Sequence, residues 1–342
     1  MSRADKKTRN CTAAAAGLLL ALAAISLLLV VPAYSYLPQG SGSASFTLDK
    51  WSSTPIPIAV STNIAAGAKL YGSGYAGTNF YNVIQSSLAT WNQAPNFQSP
   101  LGAVSQNTFS APVNGINLIC FCSNTGGVNF SGDGTLAITV STYIGNQITG
   151  ANIFFNPQPS GVCWATDNTV VSCSSSGDPN SGDVIQDLQT VATHEIGHFI
   201  GLDHSAVVRA TMFPYAPAIE TELSWDDVAG ASLLYPKSVA DVATGAISGT
   251  VTLNSSAVFG AHVFANSTST TDPFSTGFPN IRKSPIGMLT DPFGNYKIQG
   301  LPPDSYVVYA EPLDGPVTSS NVNWAADYGQ SALQTNFTTR FY

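Results

Sequence analysis

His194, Glu195, His198, Gly201 and His204 stand in the spacing H-E-x-x-H-x-x-G-x-x-H, which takes up three of the chain's four histidines. No other stretch constrains the fold as tightly. Residues four apart on an α-helix share a face, about 40° apart in rotation, so the first two histidines project side by side. Two imidazoles at that separation can grip one zinc ion. Glu195 lies one step round, able to address a water on the metal without being a ligand itself. Gly201 ends the helix and lets the chain turn back, bringing up His204 as a third nitrogen. Three ligands leave the fourth tetrahedral position to water, the arrangement of a catalytic zinc site. Zinc lowers the pKa of that water to about 7 and polarises a carbonyl, so Glu195 would take the water's proton and deliver it to a leaving amine. A lone helical histidine is usually a surface or packing residue. The added Gly and third His share no other reason than the metal.

Periodicity places this motif in a mixed chain. "SGDVIQDLQTVATHEIGHFIG" predicts a long helix, with Ser181 or Asp183 as N-cap and Gly201 as the stop. Its apolar stripe runs through Ile185, Leu188, Ala192, Ile196 and Phe199, with the histidine pair to one side. An earlier helix is predicted over 79–94, through Tyr81, Ile84, Leu88 and Trp91. Strand patterns precede and follow it in "TPIPIAV", "GINLICF", "TLAITVSTY" and "GANIFF". A short helix is signalled by "LSWDDVAGASLLY", where Ser224 and Asp227 form a capping pattern. Residues 237–244 read as a linker. Beyond it "GAISGTVTL", "GAHVFAN" and "SYVVYAE" alternate like strands, with "DPFG" and "LPPD" as turns. The expected fold class is therefore α+β: a mixed twisted sheet with two main helices over 45–236, then a small all-β domain over 245–312. Residues 313–342 carry strand-like pieces and no assignment.

Export is the expected fate of the chain. Arg3, Lys6, Lys7 and Arg9 precede an apolar run from Thr12 to Val31, and small residues Ala33 and Ser35 follow. That pattern describes a signal peptide over 1–35, leaving a short linker at 36–44. The run is also long enough to serve as an uncleaved membrane anchor, with the remainder outside either way. Only 9% of residues are charged, and removing the first 35 leaves a net charge of −11. Such a surface has no basic footprint for nucleic acid. Beyond Cys11, Cys120, Cys122, Cys163 and Cys173 are even in number, as disulfides outside the cell require, with three possible connectivities. A Cys-rich metal site, the rival reading, lacks a second C-x-x-C. Asn129, Asn254, Asn266 and Asn336 begin N-x-S/T sequons, a frequent chance match in a chain this rich in Ser and Thr.

"HEIGHFIGLDHS" resembles the metzincin metallopeptidases, and Ser205 after the third histidine points to the matrixin branch. The resemblance covers about 45–236 and implies an endopeptidase acting on a protein or peptide, with one catalytic zinc. It makes Met212 the Met-turn, a hydrophobic floor beneath the metal. Pro214 and Tyr215 resemble the wall of the specificity pocket, although Tyr usually stands one residue later. Leu136 and Ala137 resemble the upper edge strand that pairs with extended substrate. Asp227 resembles the residue that ties the last helix to the Met-turn. Departures from the family pattern carry information too. The histidines of a second, structural zinc are missing, since only His262 remains, and "FNPQPSG" replaces the acidic run that supports calcium in relatives, which argues against Ca2+. Under 20 residues separate Ser35 from the first strand, so activity is expected without propeptide removal.

Residues 245–312 resemble the carboxypeptidase regulatory-like β-sandwich of the transthyretin-like type. Thr290, Asp291, Gly294 and Tyr296 match its turn pattern, while Asp304 stands where Gly is common. That resemblance implies a spacer or a contact with cell surface or matrix, and it leaves His262 a surface or packing residue. The competing function class is a non-catalytic surface or adhesion protein built on a metalloprotease fold. The presence of Glu195 argues against it, because a purely structural site needs the histidines and not that carboxylate. Natural substrate and oligomeric state are not legible in the sequence.

Overall fold

The computed structural model describes residues 40–41, 47–65, 68, 70–72, 77–122, 128–130, 134–167, 173, 183–217, 220–272, 277–278 and 280–341. The expected targeting segment 1–35, Cys11 and most of the stretch 168–182 lie outside the described residues. Among the described residues, no helix is long and apolar enough to cross a membrane.

Strands β1 (Lys50–Trp51), β2 (Ile56–Ser61), β3 (Leu101–Asn107), β4 (Leu118–Cys120), β5 (Ala137–Ile144) and β6 (Gln147–Phe155) form a six-stranded sheet. Its order is β1-β6-β4-β2-β3 with parallel pairing, and β5 joins β6 antiparallel through pairs from Ala137↔Phe155 to Ile144↔Gln147. The near-continuous apolar runs of β4 and of the second half of β6 suit strands covered on both faces. The expected strand at 115–121 shortens to Leu118–Cys120, because the Asn117 side chain bonds across it, to Pro57 O at 3.0 Å and from Ala151 N at 3.1 Å.

Helix α1 (Gly77–Asn92) lays Ile84, Leu88 and Trp91 into the core as expected, but Phe80 joins them there in place of Tyr81, which stays half-buried. Two further strands, β7 (Val162–Ala165) and β8 (Val184–Asp187), pair parallel in register from Val162↔Val184 to Ala165↔Asp187. This corrects the expected start of the motif helix. Asp183 does not cap it, because 184–187 are extended against β7, and Ser181 lies outside the described residues. The cap is Asp187, whose Oδ1 accepts from Thr190 N at 2.7 Å, and helix α2 runs Leu188–Ile200. Ile185 therefore belongs to a strand, and the stripe of α2 is Leu188, Ala192, Ile196 and Phe199, all buried. Gly201 closes α2 at φ 106°, a left-handed conformation that glycine adopts without strain. Helix α3 (Trp225–Leu234) opens on a full capping box between Ser224 and Asp227. The cysteines pair as Cys120–Cys122 and Cys163–Cys173.

The C-terminal third is built of antiparallel strands: β9 (Gly245–Thr250), β10 (His262–Ser267), β11 (Ile286–Leu289), β12 (Asn295–Leu301), β13 (Tyr306–Glu311) and β14 (Arg340–Phe341). β9 pairs β12, and a second sheet has the order β11-β10-β13-β14. These sheets are not held at a distance by the stretch 237–244. Asn96 and Val242 exchange two hydrogen bonds of 3.0 Å, and Asp241 accepts from Asn96 N at 2.7 Å and from Lys237 Nζ at 2.6 Å. Leu223–Ser224 pairs parallel with Ile281–Arg282, and one cluster of buried apolar residues runs from Trp91, Ile196 and Trp225 into Val251, Val263 and Ile298.

His262 is a packing residue. It is 3% exposed, set against the Phe264 ring and facing Gly287, where a Cβ would lie 2.5 Å from Nε2. Burial pushes it down to about 3. The folded state therefore binds fewer protons than the unfolded chain between about pH 3 and 6.5. Its contribution is intact above pH 6.5 and lost as pH falls toward 3, with a limit on the order of 5 kcal/mol. Denaturant unfolding of the native chain and of His262→Leu from pH 7 to pH 4 is expected to show the native chain losing more stability. Parallel curves would contradict a buried neutral His262.

Candidate metal centre

The centre forms where α2, the turn after it and the edge strand β5 meet. His194 and His198 are one turn apart on α2. The left-handed Gly201 reverses the chain, and Leu202 N donates back to Gly197 O at 3.0 Å. His204 then faces the other two. His198 Nε2 lies 3.1 Å from His194 Nε2 and 3.3 Å from His204 Nε2, and one ligand atom from each ring falls within 4.8 Å of the others. Nitrogens bound tetrahedrally at the usual zinc distance of about 2.0–2.1 Å are separated by roughly 3.3 Å.

Each ring is held from behind by a backbone carbonyl. Nδ1 of His194 meets Thr211 O at 2.7 Å, that of His198 meets Leu202 O at 2.8 Å, and that of His204 meets Asn321 O at 2.6 Å. A carbonyl can only accept, so Nδ1 carries the proton and Nε2 keeps its lone pair. Burial, with the charge of His204 adding to it, holds His194 down to about 4; burial and both neighbours hold His198 well below the usual imidazole range. Fixed tautomers and converging Nε2 atoms, with burial holding His194 and His198 neutral, are what a zinc ligand set requires, and the residues present fit the ion.

Glu195 is 5% exposed, and its Oε2 accepts from Thr139 Oγ1 at 2.5 Å. Burial pushes the carboxyl up to about 7 while the Thr139 bond works in the opposite direction. Met212 is 2% exposed and pressed against Gly197; a Cβ on that glycine would sit 2.1 Å from Sδ. The glycine between the two helical histidines is required by this close approach. Asp227 fixes the loop, accepting from Thr211 N at 2.8 Å and Met212 N at 3.0 Å. Asp226 accepts from Ser205 Oγ at 2.6 Å and from Gly287 N at 2.9 Å, and burial beside Asp227 raises it to about 7.

A cleft of about 840 Å³ passes over the three histidines and Glu195. One bank is the start of β5, with Leu136, Ala137 and Thr139. The other is Pro214, Tyr215 and Ala216, joined by Ser320, Asn321 and Asn323. Tyr215 is 55% exposed, and its Oη accepts from Asn321 Nδ2 at 3.3 Å. The four cysteines lie in two bridges away from this cleft lining. Sequence reasoning did not find Thr139, Asp203, Asp226 or Asn321. Thr139 sits on the predicted edge strand and Asp226 beside the predicted Asp227, which are weak signals; nothing local marks Asn321.

Part of the chain is similar in sequence to known proteins. The family model for matrixin matches residues 75–236. Over 66 residues the chain is 46% identical to karilysin of Tannerella forsythia, covering 17% of this chain and 14% of that protein. It is 49% identical over 57 residues to metalloendoproteinase 1-MMP of Arabidopsis thaliana, 16% of each chain. It is 44% identical over 64 residues to metalloendoproteinase 1 of Glycine max, 16% of this chain and 21% of that protein. The matched stretch thus spans between 14% and 21% of these curated relatives. With the three histidines and the α+β frame in place, residues 75–236 are similar to matrixin-type metallopeptidase domains.

Proposed function

We propose that this protein is a zinc-dependent endopeptidase. The observation that carries the reading is the convergence of three imidazoles and the buried Glu195 carboxylate on one open cleft beside an edge strand. His194, His198 and His204 would hold the ion. When bound, zinc supplies Lewis acidity to the scissile carbonyl and acidifies water at neutral pH.

The chain's own residues account for the rest. β5 has β6 on one side, so its other edge can take an extended peptide as an added strand, with Leu136 and Ala137 as its first partners. Pro214 and Tyr215 bound the pocket on the opposite bank and select the substrate side chain entering it. Glu195 receives the proton of the attacking water at its carboxylate and returns it to the departing amide nitrogen. Thr139 orients that carboxylate through the Oε2 bond. The C-terminal sheets have no converging catalytic set among the described residues, and their outer face serves as a contact for cell surface or matrix. The basic, apolar and small-residue order of 1–35 supports export, either secreted or tethered by 12–31.

The test is incubation of the zinc-loaded full chain with a denatured protein. Internal cuts are expected, and their loss on chelation. A chain that holds zinc and cuts nothing across a broad panel would return the function to a binding role.

A further inference from the structure

His204 is oriented from outside the matrixin domain. The carbonyl that receives its Nδ1 belongs to Asn321, 117 residues further along. Two more bonds fix the same short stretch at the cleft: Asn323 N donates to Asp203 Oδ2 at 2.8 Å, and Asn321 Nδ2 donates to Tyr215 Oη. Asp203 is itself buried and also accepts from His204 N at 2.8 Å, so one carboxylate binds ligand and strap together. Beyond the cleft the strap is anchored in the C-terminal sheets. Val322 and the fully buried Trp324 pack with Phe259 and Leu289, and Trp324 Nε1 donates to Thr290 O at 3.0 Å.

We propose that residues 320–323 complete the active centre in two ways: the Asn321 carbonyl is the positioning group for the third metal ligand, and the Asn321 side chain with Tyr215 forms a specificity-determining wall of the substrate cleft. The other two ligands take their carbonyls from within the matrixin domain, at Thr211 and Leu202. Only the third depends on the C-terminal segment, so the peptidase domain and the sheets behind it form one functional unit. A peptide lying along β5 faces Asn321 and Tyr215 across the cleft, and the substrate side chain on that bank must fit between them. The inference rests on the zinc-peptidase reading.

Two variants separate its parts. Asn323→Pro removes the N–H that holds the strap to Asp203, at a φ of −85° close to what proline adopts. Loss of a bond that orients a ligand typically weakens metal binding about 10-fold to 100-fold. Zinc affinity of the full-length variant, measured by competition with a chelator, is expected to fall at least into the lower part of that range. Asn321→Ala keeps the backbone carbonyl and removes only the amide at Tyr215. It is expected to retain zinc affinity and to change which bonds of a denatured protein are cut. Zinc affinity within twofold of the native chain for Asn323→Pro, with an unchanged cutting pattern for Asn321→Ala, would overturn the proposal. Should Asn323→Pro not fold, Trp324→Phe keeps an aromatic ring but loses the pyrrole part of the indole with its bond to Thr290, which loosens the anchor of the strap; unchanged zinc affinity there is equally adverse. If the native chain neither binds zinc nor cuts, it is the peptidase reading that has failed.

Discussion

Glu195→Gln is expected to lower kcat/KM by about 10²-fold to 10⁴-fold, the usual contribution of a positioned general base. Zinc content should be unchanged, because the ligand atoms belong to the three imidazoles. The replacement is nearly isosteric. A Gln carbonyl can still accept from Thr139 Oγ1, so the local packing of α2 against β5 survives and the lost rate is not a folding effect. Glu195 is buried at the wall of the cleft, and a neutral amide there carries no uncompensated buried charge. The variant should therefore unfold at or above the native midpoint. The measurement is peptide hydrolysis at matched zinc content. A variant retaining more than a tenth of native activity would remove Glu195 from the mechanism and leave the proton to another group.

Removing a ligand should abolish activity and soften the fold. His198 is the central member of the set, with its Nε2 between those of His194 and His204. His198→Ala leaves two nitrogens, too few for a stable site. Hydrolysis should fall to background and excess zinc should not restore it, whereas chelated native protein should recover on adding zinc back. Zinc bound to the folded state alone stabilises by mass action, about 4 kcal/mol at a thousandfold excess over Kd. The native melting temperature should accordingly drop on chelation and that of His198→Ala should not respond to the metal. A zinc-dependent activity surviving in His198→Ala would mean that the histidines are not the ligand set.

Much of the centre is legible in the sequence because it is local. The 3.6-residue turn makes His194 and His198 neighbours whatever surrounds them, and Gly201 followed by His204 needs only one reversal of the chain. The Ser224–Asp227 capping box and the amphipathic spacing of α1 are decided over four to seven residues for the same reason. The start of α2 was not readable. "VIQD" has apolar residues at helical spacing with Leu188, and only its parallel pairing with "VCWA" in β7 makes it a strand. Helix and strand periods agree over so short a run, and a partner some twenty residues away decides between them.

What the sequence determined by itself is the chemistry: three nitrogens and a carboxylate in an order that a helix and a glycine turn bring together. What only the tertiary structure decided is the surroundings that tune it. Thr139 reaches Glu195 because β5 lies along α2, Gly197 is forced by a methionine fifteen residues later, and the carbonyl behind His204 comes from a segment with no motif of its own. Backbone carbonyls are the same in every residue, so no spacing marks the one that will orient a ligand. Its identity is set by the closure of the C-terminal segment over the cleft, where the burial of Trp324 and Val322 places Asn321.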